Sequence, residues 1–236
     1  MAGNIGSYGS SEKKGSQRLI EEYVNHQPDS LNKQILKASP SLLSFINENK
    51  QIIWKSPLKE NKYYEYQDDF LDVNYKWNLA KELLKIFWPK NGPKWDGIAL
   101  VKNDNGQKGL LLVEAKAHTN EMVSKVKATN EKSLEMIKST IIKVKTVSGS
   151  QTPIDPWLHR YYQLANRLAY LYLLNYKLEI PTWLVLVNFV DDQTLKPTPE
   201  EEWLNHYQEV YKELDIKPES FLFNRLVTIF PDANEL

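Results

Sequence analysis

The segment GLLLVEAKAH, residues 109–118, constrains the fold more than any other part of the sequence. Its aliphatic run is typical of a strand buried in a sheet, yet it ends with Glu114 and Lys116, two charges that cost free energy to bury. Side chains two residues apart share one face of a strand, so these charges project together while Val113 and Ala115 point the other way. The pattern indicates a core strand that delivers two charged groups to a functional position.

A second apolar run, WDGIALVKN, precedes this segment, and the two are separated by DNGQK. Asp, Asn and Gly at the start of that linker are turn residues, which predicts a β-hairpin. Asp96 then lies at the start of the first strand, beside the end of the second and 18 positions before Glu114. The two carboxylates meet if the register places them on the same face, which the sequence leaves open.

The segment before the hairpin predicts a helix. Residues 74–88 carry Leu79, Leu83, Ile86 and Phe87 at helical spacing, with Asn74 as a candidate cap. No opening strand is apparent between this helix and the hairpin.

Helices and strands continue to alternate after the hairpin, which indicates an α/β fold. Asn130 caps one predicted helix, and Asp155 followed by Pro156 opens the next, which runs through WLHRYYQLANRLAYLYLL. The remaining predicted elements are a buried strand at 182–190, a helix near 199–214 and a last strand in RLVTIF.

Three regions follow from these patterns. Residues 1–16 are rich in Gly and Ser, which predicts a disordered leader. Residues 17–73 predict an N-terminal extension of short helices and irregular chain, and residues 74–236 predict the main domain.

Composition excludes several classes of protein. Lys plus Arg and Asp plus Glu are both 30, so the net charge of zero argues against coating nucleic acid by bulk charge, although a local basic groove stays open. Cysteine is absent, which rules out disulfides and thiolate metal sites. No secretory signal or membrane-length apolar run occurs, so we expect a cytoplasmic protein without a membrane partner.

The carboxylate pair and the lysine point to a specific chemistry. Two carboxylates at close range repel unless a cation lies between them, and an all-oxygen pair suits Mg²⁺ or Mn²⁺. A divalent cation acidifies a coordinated water, and a nearby ammonium group orients it or stabilises the developing charge. Four other acid-x-lysine tripeptides occur in the chain, but only Glu114 and Lys116 end a buried-type strand. The arrangement suits phosphodiester hydrolysis.

Asp96, Glu114 and Lys116 resemble the motif of the PD-(D/E)XK nuclease superfamily, with Trp95 standing where the family pattern has proline. The order of predicted elements over residues 74–190 is similar to the family core. The resemblance implies a restriction-endonuclease-like α/β fold, a mixed central sheet flanked by helices. It also implies Mg²⁺-dependent cleavage of DNA, with the metal held by Asp96 and Glu114.

The resemblance implies two further positions. Glu82 on the first helix is the candidate third metal ligand, the alternative being a surface glutamate. Gln163, on the helix after the motif, is a candidate site residue within a polar patch that the sequence extends to neighbouring side chains, namely His159, Tyr162, Asn166 and Arg167. This patch either faces the site or satisfies backbone groups in the core.

Other features keep alternatives open. Six lysines against three glutamates in residues 117–147 would help to guide a nucleic-acid backbone or form a solvated face. Glu121, His118 and Asn188 flank the predicted site, each with an ordinary structural interpretation. The alternative function is a nuclease-fold module that binds nucleic acid or a protein partner without cleaving it.

Overall fold

The computed structural model describes residues 14–47 and 51–236, and its centre is a five-stranded mixed sheet with strand order β1-β2-β3-β4-β5. The first three strands pair antiparallel, and β4 and β5 continue the sheet in parallel with β3. The strands are β1 (Ile52–Ser56), β2 (Gly97–Lys102), β3 (Lys108–Lys116), β4 (Thr182–Asn188) and β5 (Leu226–Ile229). The α/β class, the hairpin and the buried strand at 182–190 are therefore confirmed.

Helices cover both faces of the sheet. One layer consists of three short helices, α1 (Gly15–His26), α2 (Pro28–Ala38) and α3 (Pro40–Ile46). The other layer consists of α4 (Ala80–Phe87), α5 (Glu131–Val147), α6 (Asp155–His159), α7 (Tyr162–Tyr172) and α8 (Glu200–Leu214). In the described part of the chain, no helix has the length and apolarity needed to cross a membrane.

The alternation of side chains on β3 divides the interior into two cores. Leu111 and Val113 pack with α1–α3, whereas Leu110 and Leu112 pack with the layer of α4–α8. Glu114 and Lys116 lie on the same face of β3 as Leu110 and Leu112, because the side-chain period of a strand is two residues. The sheet therefore places both charges under α7.

The sheet has an opening strand that the sequence did not reveal. It is β1, within the predicted extension at 17–73, and it pairs antiparallel with β2. Helices α1–α3 share a core with the sheet. The structure therefore has no separation at residue 74 between an extension and a main domain. Of the predicted leader, residues 1–13 lie outside the described residues, and Gly15 begins α1.

The predicted core face of α4 was wrong for three of its four residues. Leu79, Leu83 and Ile86 are exposed, whereas Phe87 is partly buried against the core beside the buried Leu84. Tight turns occupy residues 68–77, so the helix begins only at Ala80 and Asn74 does not cap it. A helix of eight residues that docks through one buried side chain does not reveal its inner face by periodicity.

The long helix predicted after Asp155 is broken into α6 and α7. Residues 124–126 run alongside the break: Ser124 N donates to the Arg160 carbonyl, and Tyr162 N donates to the Ser124 carbonyl. These bonds engage backbone groups that a continuous helix would use internally. The break gives α7 its own N-terminus next to the end of β3.

Candidate active site

Asp96 lies at the end of β3 that carries Glu114. The ladder between β2 and β3 ends where Gly97 pairs with Val113, and Asp96, the residue before Gly97, lies close enough to Glu114 for the two carboxylates to repel each other. The Asp96 backbone N–H donates to the Val113 carbonyl at 3.1 Å, and Asp96 Oδ2 accepts a hydrogen bond from Ala115 N at 2.7 Å. The side chain of Asp96 thus extends the pairing of β3 just beyond the start of β2.

Glu114 is the centre of a buried charge cluster. Its side chain lies beneath α7, and the residue is only 5% exposed. Oε1 accepts a hydrogen bond from Lys116 Nζ, and Oε2 lies 2.6 Å from both Nε and Nη2 of Arg167. One carboxylate between two cations explains how an aliphatic strand tolerates charges at its end, since a buried charge is stable only when it is paired.

Arg167 is anchored by contacts besides Glu114. Its Nη2 donates to the Lys94 carbonyl at 3.0 Å, and its Nη1 donates to Asn166 Oδ1 at 3.2 Å. The guanidinium carbon lies 5.0 Å from the centroid of the Trp95 ring. A guanidinium stacks well on an indole face, so Trp95 forms a platform directly before Asp96 in sequence.

A small cavity adjoins this cluster. It encloses about 20 Å³ of space, enough for one water-sized group, and is lined by Glu114, Lys116, Met122, Gln163, Leu164, Arg167, Leu186 and Tyr207. Gln163 is half-buried, and its backbone N donates to Ser124 Oγ at 2.7 Å. Its side-chain amide forms no hydrogen bond with any residue that the structure describes, which leaves that amide available to a ligand in the cavity.

The two neighbouring carboxylates differ in charge state. Burial and the negative charge of Glu114 raise the pKa of Asp96 to about 7, against the opposing effects of Lys116, the Ala115 N–H and Arg167. Burial acts to raise the pKa of Glu114, but the charges of Arg167 and Lys116 outweigh it and lower the pKa. Near neutral pH, Glu114 is therefore ionised while Asp96 is partly protonated.

This difference predicts how the stability of the metal-free protein depends on pH. A carboxyl whose pKa is raised by folding stabilises the folded state at low pH, and that contribution is lost as pH rises from about 4 to about 7. We expect Asp96→Asn to gain up to about 4 kcal/mol of stability relative to the wild type between pH 4 and pH 8, because one pKa unit corresponds to about 1.4 kcal/mol. Urea unfolding in EDTA at both pH values measures this difference, and a difference that does not change with pH would contradict the prediction.

The structure does not bring Glu82 to the site. Its side chain is exposed on α4 and pairs with Lys85 Nζ at 2.5 Å. The predicted third metal ligand is therefore not part of the cluster. The helix turns Leu84 toward the core instead of Leu79, Leu83 and Ile86. This orientation leaves Glu82 on the solvent side.

Other predicted neighbours have structural contacts. Glu121 Oε1 accepts hydrogen bonds from Ala117 N at 2.9 Å and His118 N at 3.2 Å, so it caps a turn. Asn188 donates to the carbonyls of Leu186 and Ile229. Exposed His159 lies 3.8 Å from an oxygen of Asp155, within its own helix.

Tyr207 is a lining residue that the sequence did not indicate. Its hydroxyl donates to Asn188 Oδ1 at 2.9 Å, and its ring reaches the cavity from α8. The only sequence signal was an aromatic stripe formed by Trp203, Tyr207 and Tyr211 at helical spacing, which is equally typical of an ordinary core face.

Asp96 and Glu114 supply the carboxylate oxygens that a hard divalent cation prefers. No group of three or more His, Cys, Asp or Glu side chains is arranged as a metal site within the described ranges. Mg²⁺ commonly takes one or two carboxylates and completes its shell with water and phosphate oxygens. Asp96, just before β2, and Glu114, on β3, would supply those two carboxylates.

Comparisons with protein-family models, with curated proteins and with solved structures gave no match for this chain. The functional assignment therefore depends on the geometry of the site.

Proposed function

We propose that this protein is a metal-dependent nuclease that hydrolyses DNA phosphodiester bonds on a restriction-endonuclease-like core. The observation that carries the proposal is the position of Asp96 close to Glu114, with Lys116 bonded to Glu114 on the same face of β3. The order of an antiparallel β1–β3 meander, intervening helices and a parallel β4 supports the fold assignment.

Each residue of the trio has a distinct task in this proposal. Asp96 and Glu114 would hold Mg²⁺ or Mn²⁺, which would supply an acidified water and neutralise phosphate charge. Lys116 Nζ, which already lies beside Glu114 Oε1, orients the attacking water and stabilises charge that develops on the phosphate. Gln163 contributes its unpaired amide to the same pocket, where it positions the water or a phosphate oxygen.

Exposed lysines next to the site would contact the DNA backbone. Lys125 and Lys127 project outward from the segment that bonds to the break between α6 and α7. Ser124 in that segment accepts a hydrogen bond from the backbone N of Gln163, which lines the cavity. The two lysines therefore lie on a segment that contacts the cavity lining. Phosphate contacts of this kind provide affinity without base specificity.

A cleavage assay with purified protein tests the proposal. The substrates are supercoiled plasmid, linear duplex DNA, single-stranded DNA and RNA, each with Mg²⁺, Mn²⁺ or EDTA. We expect metal-dependent cleavage of DNA by the wild type and none by Glu114→Gln, which keeps the side-chain shape. Equal cleavage by wild type and Glu114→Gln would show that the activity does not arise at this site.

The second candidate is a nuclease-fold module that binds nucleic acid without cleaving it. The observation that favours it is that both oxygens of Glu114 already contact cations. The same preparations distinguish the candidates. Binding of DNA without cleavage under any metal condition, with no thermal stabilisation by Mn²⁺, would support the silent module. Thermal stabilisation by Mn²⁺ that is lost in Asp96→Ala would support the metal site.

A further inference from the structure

Both oxygens of Glu114 already contact cations. Lys116 binds Oε1, and the Arg167 guanidinium binds Oε2 through two nitrogen atoms. A divalent cation that takes Glu114 as a ligand would compete with these two cations for the carboxylate.

Arg167 is the cation suited to move. Lys116 belongs to the same strand as Glu114, and its Nζ also lies 3.3 Å from the Ala115 carbonyl. Arg167 arrives from α7 and keeps three other contacts, with the Trp95 ring, the Lys94 carbonyl and Asn166 Oδ1. These contacts would hold the guanidinium within the site after it leaves the carboxylate.

Charge determines what the displaced guanidinium binds next. A divalent cation beside Lys116 and Arg167 adds positive charge to a buried site, where repulsion is weakly screened. A phosphodiester anion supplies oxygen atoms for both the metal and the guanidinium, whose planar fork matches two phosphate oxygens.

We propose that Arg167 is a phosphate-binding residue that holds Glu114 in the ligand-free protein and transfers to the scissile phosphate when metal and substrate bind. The proposal rests on the proposed nuclease function, because it takes Glu114 as a metal ligand. It makes metal binding and phosphate binding mutually reinforcing, and such coupling between two ligands is reciprocal.

Calorimetric titration with Mn²⁺, in the absence of DNA, tests the proposal on the full chain. We expect Arg167→Gln to bind Mn²⁺ at least about 10-fold more tightly than the wild type, because Glu114 loses a competing cation. Arg167→Lys is the matched control that keeps the positive charge, and its Mn²⁺ affinity should stay near that of the wild type. An Arg167→Gln protein that folds and binds Mn²⁺ no more tightly than the wild type would overturn the proposal.

A second measurement needs only the wild type and covers the case in which Arg167→Gln does not fold. Dimethyl phosphate, a small phosphodiester anion, should raise the Mn²⁺ affinity of the wild type by at least about 3-fold. No effect of dimethyl phosphate would overturn the proposal.

Glu114→Gln separates failure of this inference from failure of the proposed function. If Glu114→Gln binds Mn²⁺ as well as the wild type, the metal site itself is wrong. If Glu114→Gln abolishes binding while Arg167→Gln leaves it unchanged, only the role of Arg167 is wrong.

Discussion

Replacing Lys116 with methionine will lower the rate of DNA cleavage about 100- to 1,000-fold while the protein stays folded and binds Mn²⁺. The ammonium group is the only part of the trio that does not ligate the metal in the proposed mechanism, so its removal affects the chemical step. Methionine matches the length of the lysine stem, and Arg167 still neutralises Glu114. Single-turnover cleavage with saturating protein measures the rate, and Mn²⁺ calorimetry measures binding.

Lys217→Met is the matched control for this variant. Lys217 also follows an acid by two residues and pairs with Asp215, but just after the end of α8, where both side chains are partly exposed. We expect the control to cleave at the wild-type rate. Equal losses in both variants, or full cleavage by Lys116→Met, would show that the buried tripeptide has no special role.

Replacing Trp95 with alanine will destabilise the protein by about 3–5 kcal/mol, because it removes a large, fully buried side chain. The Trp95 ring packs against Phe70 and Tyr170, with centroid separations of 6.1 and 5.8 Å, and supports Arg167. For a chain of this size, the melting temperature should fall by roughly 10 °C. Urea unfolding and thermal denaturation measure the two quantities.

Trp95→Phe separates packing from loss of the indole N–H group. The Trp95 Nε1 atom is buried and has no hydrogen-bond partner in the part of the chain that the structure describes. Phenylalanine keeps an aromatic ring and removes that unsatisfied donor, so we expect a cost below about 1.5 kcal/mol. A Phe variant as unstable as the Ala variant would contradict packing as the main contribution of Trp95.

Trp95, the residue before Asp96, makes contacts that the proline of the PD-(D/E)XK pattern would not make. Proline at this position would have no N–H group, whereas Trp95 N donates to the Tyr66 carbonyl at 2.9 Å. The indole then provides the surface on which Arg167 lies. Trp95 therefore links the N-terminal end of β2 to α7 in a way that proline would not.

Local patterns were sufficient for the hairpin and for the shared face of Glu114 and Lys116. An apolar run, turn residues and the two-residue side-chain period act over a few positions, and they are legible in a single sequence. The prediction of the core face of α4 was wrong because the helix is short and follows tight turns, so that its apolar residues Leu79 and Ile86 lie on the outside. The break between α6 and α7 was not predicted because it depends on hydrogen bonds to a segment more than thirty residues earlier, around Ser124.

The sequence by itself determined the α/β class, the buried strand β3 and the pairing of one acid and one lysine on its inner face. Only the tertiary structure decided that Asp96 lies close to Glu114, that Arg167 binds the second oxygen of Glu114, and that Glu82 lies elsewhere. The physical reason is distance along the chain. Side-chain alternation is a property of neighbouring residues, whereas the register between strands and the approach of α7 depend on how two separate cores pack around one sheet.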